Sequence, residues 1–153
     1  MKATELMIGD WVQNPLGAKG WVKNIRLFPK ESDGLGGYYV IDIAYSKDGE
    51  SYARLEEKDI KPIPLTEEIL KANGWRAGNN KAWLLLRLGC DEVNIMLGKN
   101  YAEIEYLNMC YNPEDPAEVN YGANFEFPRK VCVHELQHIL RMYDVEKDLK
   151  LEP

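Results

Sequence analysis

Two histidines one helical turn apart, near the C-terminal end, are the residues of this sequence with the clearest chemical potential. His134 and His138 enclose Glu135, and together they spell H-E-x-x-H. On a helix this spacing puts both imidazoles on one face, where they bind zinc in many metallopeptidases while the glutamate acts as general base. One hypothesis is therefore a minimal zinc-dependent hydrolase with His134 and His138 as ligands and Glu135 as base.

The remainder of the sequence does not complete such a site. A catalytic zinc ion needs a third protein ligand and an open position for water, and the chain has only two histidines. Arg141 stands where the longer metallopeptidase motif has a glycine, and it puts a cation one turn from His138. The acidic residues that follow the motif lie at the end of the same helix or in a charged tail: Asp144, Glu146, Asp148 and Glu152.

We therefore predict no catalytic residue, no metal ligand and no cofactor. His134 and His138 are then surface or partly exposed helix residues, with Glu135 and Arg141 as solvated neighbours. The short motif alone carries a known risk of false matches. Capture of a metal by the two histidines without catalysis stays open as a lesser alternative.

The element that carries the motif is a C-terminal helix, predicted over about residues 129–143. Pro128 stands at its start, where the fixed φ of proline is tolerated. Taken at 100° per residue, one side of this helix collects an apolar stripe and the histidines lie roughly opposite. The stripe consists of Cys132, Leu136, Ile139, Leu140 and Tyr143.

Residues 1–63 predict short strands separated by turns. The segment 38–45 is aromatic and β-branched, and Asp48-Gly49 supplies the turn to the next strand. Several short strands at this spacing are typical of a small barrel of the SH3-like type. Residues 1–63 are thus expected to form an N-terminal SH3-like β-barrel.

Residues 64–153 predict a second unit with both strands and helices. Pro62 and Pro64 end the first unit, and Thr66 is a good N-cap for a short helix over residues 66–73. Alternation of charged and apolar residues over 101–107 predicts a half-buried strand, with the paired acids Glu103 and Glu105 on its solvent face. The fold class is therefore α+β: an SH3-like barrel followed by an antiparallel sheet packed by the C-terminal helix.

The charge of the chain argues against a nucleic-acid partner. The net charge is −6, and residues 64–153 hold ten Lys and Arg against fifteen Asp and Glu. This acidity opposes binding to phosphate backbones. The exception is a small group of basic residues in the first unit, which leaves weak nucleic-acid binding as an alternative; it consists of Lys19, Lys23, Arg26 and Lys30.

Other residue types point to an ordinary intracellular domain. The sequence shows no apolar run that spans a bilayer and no secretion signal, so we expect a cytoplasmic protein without a membrane partner. Three scattered cysteines, Cys90, Cys110 and Cys132, are expected to be buried free thiols. The four tryptophans are expected to pack in cores, although one of them could instead be an exposed binding residue: Trp11, Trp21, Trp75 and Trp83.

Three segments resemble a known family. The opening MKATELMIGDWV, the joint IKPIPLTEEILKANGW and the ending VCVHELQHILRMY are similar to a family of small uncharacterised proteins of gut Bacteroidales and their phages and mobile elements. The resemblance implies an SH3-like barrel joined to a small α+β part, with no assigned activity. In that family the position matching His138 is often Asn and the one matching Glu135 can be Gln, which implies that zinc is not required.

The leading functional hypothesis is a non-enzymatic accessory or protein-interaction module, associated with a phage or mobile element, whose protein partner is unknown. Small barrels bind partners through loops and open edges. The zinc hydrolase and the nucleic-acid binder are the alternatives.

Overall fold

The computed structural model describes residues 1–29, 37–46, 51–80, 82–108, 121–145 and 149–151. This part of the chain holds two five-stranded antiparallel sheets and few helices, in agreement with the α+β class. It divides into two compact units: unit 1 comprises residues 1–63, 132–137 and 151–153, and unit 2 comprises residues 64–131 and 138–150. No described helix has the length and apolar character needed to cross a membrane.

Unit 1 is built on a sheet with strand order β4-β3-β2-β1-β5. The described strands form an open sheet with β4 and β5 at its edges, and no pairing among them closes the barrel predicted for this region. Short 3₁₀ turns precede β1 and β5, at Ala3–Glu5 and Glu57–Asp59. The strands are β1 Trp11–Gln13, β2 Lys19–Pro29, β3 Gly37–Ala44, β4 Tyr52–Glu56 and β5 Lys61–Pro62.

One face of this sheet forms the core of unit 1. Alternate residues of each strand point to the same face, and on this face they are β-branched side chains that suit a pleated surface. Burial of each such side chain stabilises the fold by roughly 1.5–3 kcal/mol. The fully buried ones include Val12, Val22, Ile41 and Ile43, and Ile60, which directly precedes β5, packs in the same core.

β2 and β3 continue beyond their neighbours as a two-stranded ribbon. β4 pairs with β3 only as far as Val40, whereas β2 and β3 pair on to the end of both strands. We call residues 27–29 and 37–39 the ribbon. Phe28 and Tyr38 stack across it with their ring centroids 5.7 Å apart. A Cβ at Gly37 would lie 2.7 Å from the Phe28 carbonyl oxygen, so only glycine fits there.

Unit 2 contains a sheet with strand order β10-β9-β8-β7-β6. The register of β8 against β9 runs without interruption from Asp91–Asn108 to Leu97–Ala102. The elements that begin in residues 64–131 are α1 Glu67–Ala72, β6 Arg76–Ala77, β7 Trp83–Leu88, β8 Asp91–Leu97, β9 Ala102–Asn108 and β10 Tyr121–Phe127.

The predicted alternation in β9 is confirmed. Ala102, Ile104 and Tyr106 are buried, whereas Glu103 and Glu105 lie on the other face and are partly exposed. The ring of Tyr106 stacks on that of Tyr143 with centroids 4.2 Å apart. One face of the sheet therefore carries the apolar core of unit 2, and the other combines polar side chains with Trp83, Leu85 and Met96.

Helix α1 is closed by an asparagine that also binds a distant segment. Thr66 caps its first turn by accepting a hydrogen bond from the main chain of Ile69. At the other end, the Asn73 side chain donates to the Lys150 carbonyl at 3.0 Å and accepts from the Lys150 N–H at 2.7 Å. Asn73 is buried, and this pair of bonds satisfies its amide in the way a strand neighbour would.

The C-terminal helix, α2, spans Val133–Met142 and begins later than the sequence predicted. Its predicted first turn is extended chain instead. The Leu65 N–H donates to the Val131 carbonyl at 3.0 Å, and the Val133 N–H donates to the Ile63 carbonyl at 2.9 Å. These strand-like hydrogen bonds hold the chain out of the helical conformation until residue 133.

Candidate functional site

Glu135 of the HELQH string closes the first turn of α2. Its carboxylate oxygen accepts a hydrogen bond from the main-chain N–H of Cys132 at 2.8 Å. Cys132 immediately precedes the helix and Glu135 is its third residue, so this bond is one half of a capping box. A carboxylate at this position also interacts favourably with the helix dipole. The glutamate that a zinc hydrolase would use as base is therefore engaged in local helix formation.

Gln137 binds the main chain of the first strand. Its carbonyl oxygen accepts from the Trp11 N–H at 2.9 Å, and its amide nitrogen donates to the Gly9 carbonyl at 3.1 Å. All three residues belong to unit 1, and the Gln137 side chain is buried. This amide therefore acts as a substitute strand neighbour at the start of β1. The sequence did not predict this role. Its only sign is a glutamine that directly follows a residue of the apolar stripe, Leu136, on the predicted helix.

The two histidines have different environments. His134 is buried, with 6% of its surface exposed, so the expectation that it lies at the surface is wrong. The error has a physical cause: the helix is buried on more than its apolar stripe, since Val133 and Gln137 are buried as well. His138 is partly exposed.

Of the acidic residues considered as a third ligand, the structure describes only Asp144, and it does not form a metal site with the histidines. Asp144 is exposed and has a φ of 56°, and it ends the helix in the left-handed conformation. This is a frequent way for a helix to stop. Glu146, Asp148 and Glu152 lie outside the described residues. Within the part of the chain that the structure describes, no group of three or more His, Cys, Asp or Glu residues could hold a metal ion.

Unit 1 contains a charged cluster that the sequence did not reveal. Asp42 lies in the middle of β3, with 12% of its side chain exposed. It accepts hydrogen bonds from the guanidinium groups of Arg54 at 2.9 Å and Arg26 at 2.5 Å. Burial by itself would raise the pKa of Asp42, but the hydrogen bonds and charges of the two arginines hold it below its ordinary value. An acid inside the apolar run YYVIDIAY is the signal that could have predicted a basic partner.

The predicted basic patch is therefore not a free group of cations. Arg26 is bound to Asp42, so its charge is compensated within the sheet. Lys19 is partly exposed, Lys23 is exposed, and both lie along β2. Lys30 lies outside the described residues.

The face of the second sheet opposite its core carries an array of hydrogen bonds between side chains. The Asn94 amide donates to Glu92 at 3.1 Å and to Glu105 at 3.0 Å. The Tyr101 hydroxyl donates to Glu103 at 2.8 Å, and this bond is the largest cause that raises the pKa of Tyr101 to about 12. Glu103 and Glu105 thus each accept from an uncharged donor, which suits a structural role on the sheet.

Unit 2 also contains a cavity of about 290 Å³. Its wall combines the apolar residues Leu65, Leu97 and Val131 with the first turn of α1 and with Lys130. Nothing in its lining forms a catalytic pair. Of the cysteines, Cys90 is exposed at the turn between β7 and β8, so its predicted burial is wrong, and Cys132 is half-buried. Cys110 lies outside the described residues.

Comparison with protein families, with curated proteins and with solved structures found no match for this chain.

We expect the purified, untagged protein to carry far less than one zinc ion per chain, because the described residues bring no third protein ligand to His134 and His138. Metal content is measured by mass spectrometry after growth in zinc-supplemented medium. One zinc per chain that is lost in His138→Ala would contradict this expectation and would favour the hydrolase hypothesis.

Replacement of Gln137 by alanine is expected to lower the free energy of unfolding by about 2 kcal/mol, because it leaves the Trp11 N–H and the Gly9 carbonyl without their partner. Equilibrium urea unfolding measures the change. Gln13→Ala is the matched control, since Gln13 also donates to a main-chain carbonyl, that of Gly17, but at the exposed surface. Equal effects of the two substitutions would show that the Gln137 bonds have no special importance.

The Asp42 cluster makes stability depend on pH in the acidic range. Because the folded-state pKa of Asp42 is lowered, its contribution is present above the unfolded pKa of about 3.9 and is lost as the pH falls through the folded pKa. Asp42→Asn should cost about 1 kcal/mol at neutral pH, since both arginines are more than one third exposed and water screens them. Thermal unfolding between pH 3 and pH 7 measures this, and Glu67→Gln, at an exposed acid paired with Lys71, is the control. A wild-type and an Asp42→Asn curve of the same shape would contradict the prediction.

Proposed function

We propose that this protein is a non-enzymatic accessory module that binds a protein partner through the ribbon of unit 1. The observation that carries this proposal is the exposed aromatic pair on one face of the ribbon. Tyr38 is 45% exposed and Phe28 36%. Leu27, 59% exposed, lies on the opposite face, because side chains alternate along a strand. Contiguous exposed apolar groups, aromatic ones above all, are typical of protein-binding sites.

A protein partner fits this surface better than a nucleic acid does. The ribbon presents a stacked aromatic pair, while the nearest described cation on β2, Arg26, is compensated by Asp42. Nucleic-acid binding depends on cations that release counterions from phosphates. With a net charge of −6 the chain has no surplus of them.

Unit 1 is proposed to be an SH3-like barrel. Three observations support this. The strands pair in chain order with β5 returning to β1, and the 3₁₀ turn at Glu57–Asp59 directly precedes β5. β2 is long and carries a register shift between Val22 and Asn24; such a bulge bends a strand, which is needed for one strand to serve both halves of a small barrel.

The association with a phage or a mobile element is part of the same proposal, and it rests on the three sequence segments alone. An accessory role agrees with the structural use of the HELQH motif, which is the part of the sequence that most resembles a catalytic site. The zinc-hydrolase alternative loses support because Glu135 caps a helix and Gln137 binds β1.

The proposal predicts a partner whose capture depends on the ribbon. Immobilised wild-type protein and the double variant Phe28→Ser, Tyr38→Ser are exposed to lysate of the bacterium that encodes the protein, and bound proteins are quantified by mass spectrometry. The captured amount of a true partner should be at least about tenfold lower with the double variant than with the wild type, which corresponds to the loss of a modest binding hot spot.

Leu16→Ser is the matched control, because Leu16 is a single apolar residue, 93% exposed, at a different turn of unit 1. Its capture profile should equal that of the wild type. A set of bound proteins that is the same for all three proteins would contradict the proposal, and enrichment of nucleic acid would favour the alternative.

A further inference from the structure

The strand β4 forms an edge of the unit 1 sheet, and its outward main-chain groups have no described partner. The Tyr45 N–H donates to the Ser51 carbonyl at 2.8 Å, which fixes these two residues as a hydrogen-bonded pair. In an antiparallel ladder such pairs alternate with non-hydrogen-bonded ones. The N–H and C=O groups of Tyr52, Arg54 and Glu56 therefore point away from β3, toward the open edge.

This edge is accessible along its length. Tyr52 is 60% exposed, and the side chains of Arg54 and Glu56 are 54% and 47% exposed. Edge strands are usually protected by short length, charged side chains, proline or a bulge, since they otherwise pair with another strand. β4 is short and carries Arg54 and Glu56, but it has neither a proline nor a bulge between Tyr52 and Glu56.

The charges along β4 are self-complementary. Arg54 and Glu56 are two residues apart, so both side chains lie on the same face of the sheet. Leu55 lies between them on the core face, where it packs against the core but is only partly buried. A second strand with the same sequence, running antiparallel, can thus present opposite charges and another leucine.

We propose that β4 pairs with β4 of a second copy of this chain, antiparallel, about a two-fold axis at Leu55. In this register Arg54 lies opposite Glu56 of the second copy, and Glu56 lies opposite its Arg54. The two outward pairs exchange four main-chain hydrogen bonds. The two Leu55 residues form the closely spaced non-hydrogen-bonded pair, in which side chains approach best, and they extend the apolar core across the axis.

Other registers are less favourable. An axis at Arg54 would put the two arginines directly opposite each other, and like charges in that position destabilise a sheet. An axis at Ala53 would put Arg54 opposite Tyr52 and form no ion pair.

Both charges, Arg54 and Glu56, already have a partner within the chain. Arg54 holds Asp42 through its Nε, and the two Nη groups of its guanidinium are the ones that would face Glu56 of the second copy. The exposed pair between Glu56 and Lys58 offers little resistance to exchange, because surface ion pairs contribute at most about 1 kcal/mol.

The dimer should be weak and reversible. Only residues 54–56 of each chain pair in this register, so the interface buries much less than the roughly 1,200–2,000 Å² of a stable one. Four main-chain bonds and two ion pairs nevertheless specify one register. The edge is separate from the ribbon, so this inference does not depend on the proposed function.

Sedimentation velocity of the full chain from about 1 µM to about 1 mM covers the range in which small interfaces assemble. The average mass of the wild type should rise from 17.6 kDa toward twice that value. Glu56→Arg should weaken association at least about tenfold, because it puts Arg54 opposite an arginine. Arg54→Glu should do the same. An equimolar mixture of the two variants should recover the dimer, since one chain then supplies two acids and the other two bases.

Two further variants separate the edge from other effects. Glu56→Pro removes the outward N–H, and the φ of −79° at Glu56 suits proline, so the variant should fold but remain monomeric. Glu67→Arg reverses an equally exposed, lysine-paired acid in unit 2 and should dimerise like the wild type. A wild type that stays at 17.6 kDa throughout, or a dimer that persists in both Glu56 variants, would overturn the proposal.

Discussion

The buried side chain of Gln137 completes the hydrogen bonding of a strand that begins 126 residues earlier in the sequence. A primary amide suits this task because it offers a donor and an acceptor side by side, as a peptide group does. A buried N–H or C=O without a partner costs about 1–3 kcal/mol. The strand β1 is only three residues long and has few ladder bonds of its own. The same solution recurs in unit 2, where the buried amide of Asn73 holds the main chain of Lys150.

The letters of HELQH have separate structural explanations. The glutamate is the third residue of a helix, a frequent capping position, and it accepts from Cys132. The glutamine binds β1, and His134 is part of the buried surface. A helix that is buried on more than its apolar stripe and has a glutamate capping its first turn can therefore produce a zinc motif by coincidence. The structural environment of each residue distinguishes such a helix from a metal site better than the spacing of the histidines does.

Local sequence patterns correctly predicted the features that depend only on residues close together in the chain. The alternation in β9 and the N-cap at Thr66 follow from the pleat and from helix capping, and both agree with the structure. The late start of α2 was missed, because hydrogen bonds to Ile63 and Leu65 override the local helical preference of residues 129–132. The arginine partners of Asp42 were missed for the same reason: cross-strand neighbours depend on register, which the order of residues does not give.

Unit 1 is formed by segments that are far apart in the sequence, and this affects the order in which the protein folds during synthesis. This unit combines residues 1–63 with residues 132–137 and 151–153, so the ribosome makes residues 64–131 between its first two segments. Until Gln137 leaves the exit tunnel, the main chain at Gly9 and Trp11 lacks its native partner. Domains generally fold as units once their residues are available. Most of unit 1 is therefore synthesised before unit 2, but unit 1 is completed only after residues 64–131 have been made. A translation product that stops before Gln137 would contain unit 1 in an unfinished state.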